Sequence, residues 1–356
     1  MHDQGPGRLS RRALDPAFEL AAAQVAAGTV PFVILGVADR VGTIRLESFG
    51  MTVGPRIGID ALCLLASITK PIVATAVMHE VEAGRLDLDQ PLVGLLPELA
   101  TAGAGSFTAW HVLTHTSGIG DVYVEGLLLE GGDRAELLRR AIALPQRSVP
   151  GSAFDYATAP FDILAEGIAR RVGRPFEAVL REDVLDPLGM TETVFAPGPD
   201  AAPRMAPVAV DLPALAGIPG SALIAGFTGL RLAGGGLWST AGDVLRFGRA
   251  MLRGGELDGR RVLSPAFVDL MTREVTVGGL GAADDVQRAE HYAIGWGKPG
   301  VSSPASASSF GHGGGSGTRL WVDPAHDLVF LYLTGSWAMS HEPINAVQHA
   351  VYAALP

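Results

Sequence analysis

The sequence predicts an α/β (α+β) sandwich, in which helices flank an antiparallel sheet and a mainly helical subdomain is inserted. Strand-like stretches, short and rich in β-branched or aromatic residues, occur near both ends of the 356-residue chain: 32–38, 43–49, 292–296, 318–322 and 328–334. Between them, from about residue 86 to 253, the patterns are mainly helical, with Gly and Pro at the breaks. We therefore expect both ends of the chain to build one sheet around an inserted helical region.

The first elements are a helix over Asp15–Ala27 and the strands Phe32–Ala38 and Thr43–Phe49. The helix carries an apolar pattern and stops before Gly28, whereas the second strand alternates polar and apolar residues. These three elements form the N-terminal part of the predicted sandwich.

An N-terminal export signal is the competing interpretation of this region. Ser10-Arg11-Arg12 precedes a 19-residue run, Leu20–Ala38, that contains no charged residue. However, Asp15 and Glu19 lie where the apolar core of a signal should begin, and no convincing cleavage site follows. The break at Gly28–Pro31 leaves two pieces that are each too short to span a bilayer. We therefore expect a cytoplasmic protein without a membrane segment.

The next predicted helix begins at Ser67 and stops at Gly84, and its apolar residues repeat at helical spacing: Ile72, Val73, Ala76, Val77 and Val81. Later helices are expected over 161–172, after a cap at Thr240, and over 343–355. We assign residues 1–85 and 237–356 to the sandwich and residues 86–236 to the inserted helical subdomain. Within the insert, residues 196–228 are rich in Pro, Ala and Gly and are predicted to form a lid-like segment.

Composition restricts the possible partners. Hydrophobic residues make up 48% of the chain and charged residues 18%, which is typical of a globular protein with a sizeable core. A net charge of −10 argues against nucleic acid and anionic membranes as partners. The single cysteine, Cys63, excludes an intrachain disulfide and is interpreted as a buried small hydrophobic residue.

Lys70 is one of only two lysines among the 27 lysine and arginine residues. Arginine supplies the same charge but cannot give up its proton in a protein, whereas lysine can. Ser67 stands three residues earlier, which is the Ser-x-x-Lys spacing of a serine nucleophile and a lysine base. The structural alternative is that Ser67 caps the helix and Lys70 is a solvated first-turn residue. A cation in the first turn opposes the helix dipole, which argues against Lys70 as a plain surface residue. The spacing therefore favours proton transfer between Ser67 and Lys70.

Six segments, in order along the chain, carry a family resemblance: Ser67–Lys70, Val112–Ile119, Pro150–Tyr156, Asp186–Thr191, Ala233–Thr240 and Phe310–Gly315. Together they resemble the serine β-lactamase-like superfamily, closest to class C β-lactamases, family VIII carboxylesterases and related D-amino-acid peptidases. The resemblance covers nearly the whole chain from about Val30. It implies the serine β-lactamase/transpeptidase-like fold, with the active site between the sandwich and the insert.

The resemblance also implies roles for single residues. Ser67 would be the acylated nucleophile and Lys70 its general base, and Tyr156 would complete the proton relay to the leaving group. His312-Gly313-Gly314 occupies the place of the family's Lys-Thr-Gly strand. Gly315, which follows, would offer the second oxyanion-hole N–H beside that of Ser67.

Two residues depart from the family pattern. Thr158 stands where the family usually has an asparagine that contacts the acyl-amide carbonyl of the substrate and helps to hold the lysine. His312 replaces a lysine whose fixed charge would hold a substrate carboxylate. Both changes point away from β-lactams and carboxylate-bearing peptides, and towards esters.

Other chemistries fit the sequence less well. His312–Gly315 is similar to the oxyanion motif of hormone-sensitive-lipase-type α/β-hydrolases, but no Gly-x-Ser-x-Gly nucleophile occurs in the chain. A dinucleotide site is disfavoured because a predicted strand, not a helix, follows the glycines. His111 and His115 lack the intervening glutamate of a zinc helix, and Asp121 is interpreted as a loop or cap residue. No metal or other cofactor is predicted.

The predicted chemistry is acyl transfer through an acyl-Ser67 intermediate, without a cofactor, on a small-molecule ester or amide. Hydrolysis of an ester is the favoured outcome. A transacylase, which passes the acyl group to an amine or alcohol in small-molecule biosynthesis, is the first alternative, because exclusion of water favours a larger nucleophile. A D-peptidase, a β-lactamase and a non-catalytic binding protein are less favoured alternatives.

Overall fold

The computed structural model describes residues 8–50, 57–103, 105–210, 219–275, 291–300, 303–337 and 339–356. Its main sheet is antiparallel, with five strands in the order β2-β1-β9-β8-β7. The strands are β1 (Val33–Ala38), β2 (Thr43–Phe49), β3 (Cys63–Leu64), β4 (Trp238–Ser239), β5 (Glu256–Leu257), β6 (Arg260–Arg261), β7 (Phe310–Gly314), β8 (Thr318–Asp323) and β9 (Leu328–Leu333). Both ends of the chain therefore contribute to one sheet, as the sequence predicts.

Helices cover both faces of this sheet. They are α1 (Asp15–Ala26), α2 (Thr69–Glu82), α3 (Ala109–Leu113), α4 (Val124–Leu129), α5 (Arg134–Ile142), α6 (Ala159–Val172), α7 (Phe176–Leu180), α8 (Gly220–Leu230), α9 (Ala241–Leu252), α10 (Pro265–Thr272) and α11 (Glu342–Ala353). Helices α1 and α11 pack on one face and α9 on the other. Within the described ranges, no helix is long and apolar enough to cross a membrane.

Strand β1 shows how the sequence selects this sandwich. Its side chains alternate between the two cores: Val33 and Leu35 pack with the α1 and α11 side, and Ile34 packs with the α9 side. Every residue of β1 is buried, because helices cover both faces of the sheet at this strand. Gly36 lies against α9, where a Cβ would stand 2.9 Å from a methyl carbon of Leu245.

Most predicted elements are confirmed to within a few residues at their ends. The predicted strand 292–296 is wrong, because the segment forms a tight turn that closes through a bridge between Tyr292 and Gly297. Gly295 in this turn has φ +74°, and a Cβ there would stand 2.4 Å from Cβ of Ala74 on α2. Gly295 can adopt this left-handed backbone because it has no Cβ. The segment therefore packs closely against α2 as a turn and does not extend as a strand.

The helix predicted to begin at Ser67 begins as an α-helix at Thr69, after a 3₁₀ turn over Ala66–Ile68. The predicted lid-like segment 196–228 contains a 3₁₀ helix, Pro199–Arg204, and most of α8, whereas residues 211–218 lie outside the described part of the chain. The division into a sandwich and an inserted subdomain at residues 86–236 stays a prediction.

Candidate active site

Ser67 lies in a sharp strand-to-helix turn between β3 and α2. Ala66, immediately before it, has φ +47°, a left-handed conformation that residues with a Cβ rarely adopt. Such strain persists only where surrounding contacts hold the backbone in place. Ser67 itself is half-buried, so its hydroxyl sits at the surface of the core rather than within it.

Hydrogen bonds from two distant segments hold this turn. The amide of Leu65 donates to the carbonyl of Leu237 at 2.8 Å, just before β4. The hydroxyl of Ser316, in the turn between β7 and β8, donates to the carbonyl of Leu64 at 2.6 Å. The hydroxyl of Thr318, at the start of β8, donates to the carbonyl of Leu65 at 2.9 Å. The turn that presents Ser67 is therefore anchored next to the end of β7, the glycine-rich strand Phe310–Gly314.

Lys70 is fully buried one turn into the helical segment, and its Nζ contacts three neutral oxygens. The distances are 3.2 Å to Oγ of Ser67, 3.3 Å to Oγ1 of Thr158 and 2.8 Å to the carbonyl of Gly234. An ammonium has three donors, so these oxygens use its full capacity. The alternative of a solvated Lys70 is wrong, and the Ser-x-x-Lys pair is in hydrogen-bonding contact.

Gly234 was not singled out from the sequence, although it stands in one of the six matching segments. Asp162 on α6 is fully buried and accepts a hydrogen bond from the amide of Ala233 at 2.9 Å, which holds the backbone one residue before Gly234. A Cβ at position 234 would stand 2.8 Å from Cγ2 of Thr158. Glycine is therefore needed for the carbonyl to reach Lys70 beside Thr158.

Thr158 is itself positioned by Asp121. The Asp121 carboxylate accepts hydrogen bonds from the amides of Thr158 and Ala159 at 2.9 and 2.7 Å, at the N-terminus of α6. This confirms the interpretation of Asp121 as a cap residue. The cap holds the Thr158 hydroxyl within reach of Lys70.

Tyr156 lies over Lys70, with the lysine Nζ 4.6 Å from the centre of its ring. His115 packs behind this ring at a centroid distance of 4.3 Å, and its Nδ1 accepts a hydrogen bond from the amide of Ala157 at 3.2 Å. Burial, and then the positive charge of Lys70, hold the pKa of His115 well below its usual range. His115 is therefore a neutral support for Tyr156.

His312 on β7 is held at both ring nitrogens. Nδ1 lies 2.6 Å from the carbonyl of Gly313, so it carries the proton and donates, and Nε2 lies 3.0 Å from the hydroxyl of Tyr292. Burial, followed by the charge of Lys70, lowers the pKa of His312 to about 3. Strand β7 therefore presents a neutral imidazole at the position where the Lys-Thr-Gly strand carries a lysine cation. Tyr292 was missed, because no sequence signal connects it to His312.

The buried neutral state of His312 predicts a pH dependence of stability. The unfolded chain takes up a proton near pH 6.5, whereas the folded chain does so only near pH 3, so stability falls as pH decreases between these values. In urea unfolding at pH 4 to 5.5, we expect the wild type to lose about 1.4 kcal/mol more per pH unit than His312→Gln. Equal slopes would show that His312 is already protonated in the fold.

The glycines after His312 bring the strand close to the turn of Ser67. A Cβ at Gly314 would stand 2.3 Å from the carbonyl oxygen of Leu65, so only glycine fits. At Gly313 the nearest atoms are 3.8 Å away, and at Gly315 the nearest is Cζ2 of Trp337 at 4.0 Å. Close approach thus explains Gly314, and the oxyanion role of the Gly315 N–H stays a prediction.

The other candidate histidine has a structural role. Nδ1 of His111 lies 3.1 Å from the amide of Thr108 and 2.9 Å from its hydroxyl, and the two residues form a capping box at the start of α3. Among the residues that the structure describes, no group of three or more His, Cys, Asp or Glu side chains is arranged to hold a metal ion.

The antiparallel sandwich, with a serine–lysine pair in the turn that leads into a buried helix, defines a protein of the serine β-lactamase-like class. The family described as Beta-lactamase matches residues 19–353, which is nearly the whole chain. The chain belongs to this family, and the resemblance inferred from the six segments is confirmed.

Individual comparisons agree with this assignment. Protein Rv1367c of Mycobacterium tuberculosis is 32% identical over 329 residues, which cover 77% of each chain. Esterase EstB of Burkholderia gladioli is 39% identical over 153 residues, or 38% of this chain and 39% of its own. Among solved structures, EstCE1, described as a hydrolase with promiscuous acyltransferase activity, has a TM-score of 0.80 at 20% identity, over 96% of this chain and 99% of its own. This last likeness confirms the fold class.

Proposed function

We propose that this protein hydrolyses small-molecule esters through a covalent acyl-Ser67 intermediate. The observation that carries the proposal is the 3.2 Å contact between Nζ of Lys70 and Oγ of Ser67, on a lysine that is fully buried. To act as the base, Lys70 gives up one proton; the amine then keeps two donors for Thr158 and Gly234 and turns its lone pair towards the serine hydroxyl. The named relative EstB, an esterase, supports the same class of substrate.

In the first step Oγ of Ser67 attacks the ester carbonyl while Lys70 accepts the hydroxyl proton. The oxyanion lies between the N–H groups of Ser67 and Gly315. Collapse of this intermediate breaks the bond to the alcohol, and the proton reaches the leaving oxygen through the Tyr156 hydroxyl. In the second step water adds to the acyl-serine, its proton passes back through the same groups, and the acid and free Ser67 are released.

Two observations favour esters over amides and β-lactams. Thr158 offers a short hydroxyl that contacts Lys70 at 3.3 Å, in place of an amide that could also reach the acyl-amide carbonyl of a substrate. His312 is neutral, so the strand supplies no fixed charge for a substrate carboxylate. A substrate without an amide and without a carboxylate loses no binding contact through Thr158 or through His312.

Thr158→Asn tests this specificity. We expect the variant to raise the turnover of an anilide or a chromogenic cephalosporin about fivefold relative to a matched aryl ester, since one added hydrogen bond to the acyl amide is worth about 1 kcal/mol. The ratio of kcat/KM values is the readout, and Thr101→Asn at an exposed site is the control. An unchanged ratio would show that Thr158 does not discriminate between these substrates, and a wild type that turns over no ester would contradict the proposed function.

Transfer of the acyl group to an amine or alcohol is the second candidate. It is favoured by the dryness of the site, where Lys70 has no exposed surface and His312 is 8% exposed. Restricted access of water lengthens the life of an acyl-enzyme and leaves time for a larger acceptor. The acceptor and a cytoplasmic location stay predictions.

A further inference from the structure

An apolar cleft opens beside the end of the glycine-rich strand. It encloses about 360 Å³, part of it open to solvent, and lies between α4, α8 and the segment after β9. The described residues that line it are apolar except for one carboxylate: Val124, Glu125, Leu128, Val210, Leu223, Ile224, Phe227 and Trp337. We refer to this site as the α8 cleft.

Helix α8 is unusually apolar for its exposure. Its sequence is GSALIAGFTGL, yet Leu230, at its last position, is its only buried residue. The helix is nevertheless held in place, because the hydroxyl of Thr228 accepts a hydrogen bond from Nε1 of the buried Trp238 at 3.2 Å. Leu223, Ile224 and Phe227 are held in place but only partly buried, which indicates a surface that an apolar ligand completes.

The α8 cleft lies beside the residues that surround Ser67. Trp337 forms one wall, and its Cζ2 lies 4.0 Å from the point that a Cβ on Gly315 would occupy. The ring of Phe227 packs edge-on against Trp337 at 5.5 Å. Both residues pack with Leu64, which lies three positions before Ser67. An acyl group on Ser67 can therefore extend past Gly315 and along Trp337 into the cleft.

The arrangement along β7 decides which half of the substrate enters. The leaving group must depart towards Tyr156, whose ring lies 6.1 Å from that of His312. Gly315 follows three residues later, just past the end of β7 and about 10 Å further in the direction of the strand. The alcohol part of the ester thus lies at the end of the site near His312, and the acyl group lies at the end near Gly315.

On the basis of the proposed function, we propose that the α8 cleft binds the acyl chain, and that the substrates are esters of apolar, unbranched acids of medium length. Among the residues that the structure describes around the cleft, seven apolar side chains line it, and Glu125 is the only one with a charge. This carboxylate repels an acyl chain that ends in a second carboxylate. A hexanoyl ester is therefore preferred over an acetyl ester, and over the corresponding half-ester of a six-carbon dicarboxylic acid.

The test is the kcat/KM series for 4-nitrophenyl esters from acetyl to hexanoyl, each normalised to its hydroxide-catalysed rate. We expect a rise of about 20- to 100-fold across the series, because a fully buried methylene contributes roughly fourfold and the cleft is partly open. Leu223→Asp places a charge in the cleft and should reduce the hexanoyl-to-acetyl ratio at least about tenfold. Leu129→Asp, at a leucine of α4 that is 52% exposed and outside the cleft, should leave the series unchanged.

Two further arms separate the possible outcomes. Val124→Phe fills the cleft without a charge and should move the preference to shorter acyl chains, which keeps the test valid if Leu223→Asp does not fold. With alkyl acetates of increasing alcohol length, Leu223→Asp should leave the length dependence unchanged. A flat acyl series, or an effect confined to the alcohol series, overturns the acyl assignment while ester hydrolysis stands. Absence of turnover with every ester removes the proposed function and this inference together.

Discussion

Ser67→Ala should lower kcat/KM for a short aryl ester by at least about 10,000-fold, because it removes the atom that forms the covalent intermediate. The fold should be retained, since Ser67 is half-buried and contributes one hydrogen bond, from Lys70, at 3.2 Å. The net worth of such a bond is about 1 kcal/mol. Initial rates of phenol release, together with thermal unfolding of both proteins, measure the two effects.

The matched control is Ser152→Ala, at an exposed serine that donates its hydroxyl to the carbonyl of Val149. It should keep the wild-type rate. A Ser67→Ala protein that is folded and still turns over esters at more than about a hundredth of the wild-type rate contradicts the assignment of the nucleophile.

Lys70→Arg should lower the same rate by about 1,000-fold or more, although it preserves the charge. The guanidinium cannot present a lone pair to the Ser67 hydroxyl, and general-base assistance is worth about 100- to 10,000-fold. The larger side chain also has no room, since Lys70 is fully buried against the Gly234 carbonyl and the ring of Phe161. Steady-state kinetics on the aryl ester provide the measurement.

Two further variants separate chemistry from packing. Lys70→Met keeps the length of the side chain without its nitrogen and should be as inactive as Lys70→Arg. Lys298→Arg replaces the other lysine of the chain, which is half-buried after the Tyr292–Gly297 turn, and should stay active. An active Lys70→Arg would overturn the role of lysine as the base.

Local signals explain why much of the fold could be predicted from the sequence. Thr240 accepts a hydrogen bond from the amide of Asp243 and caps α9, and Gly173 ends α6 in the left-handed conformation. The polar–apolar alternation in the sequence of β2 follows from the pleat of a strand. Each of these features is determined within a few residues, so the sequence alone contains it.

The errors have a tertiary cause. The segment 292–296 is apolar enough for a strand, but its packing against Ala74 on α2 and the left-handed backbone at Gly295 make it a turn. At the site, the Ser-x-x-Lys spacing is local and predicts the contact between Ser67 and Lys70. The partners that complete the site, Gly234 and Tyr292, come from remote segments and are brought there by the fold.

The most direct test of the acyl-Ser67 intermediate is intact-protein mass spectrometry after rapid mixing with a short-chain aryl ester and an acid quench, with and without an added amine. Wild type should gain one acyl group, located on Ser67 by peptide mapping, and Ser67→Ala should gain none. Faster loss of the adduct with amine, and formation of the amide, identifies a transacylase; loss in water alone identifies a hydrolase. Phenol release by Ser67→Ala at the wild-type rate, or an equal adduct on Ser67→Ala, would contradict the acyl-serine mechanism.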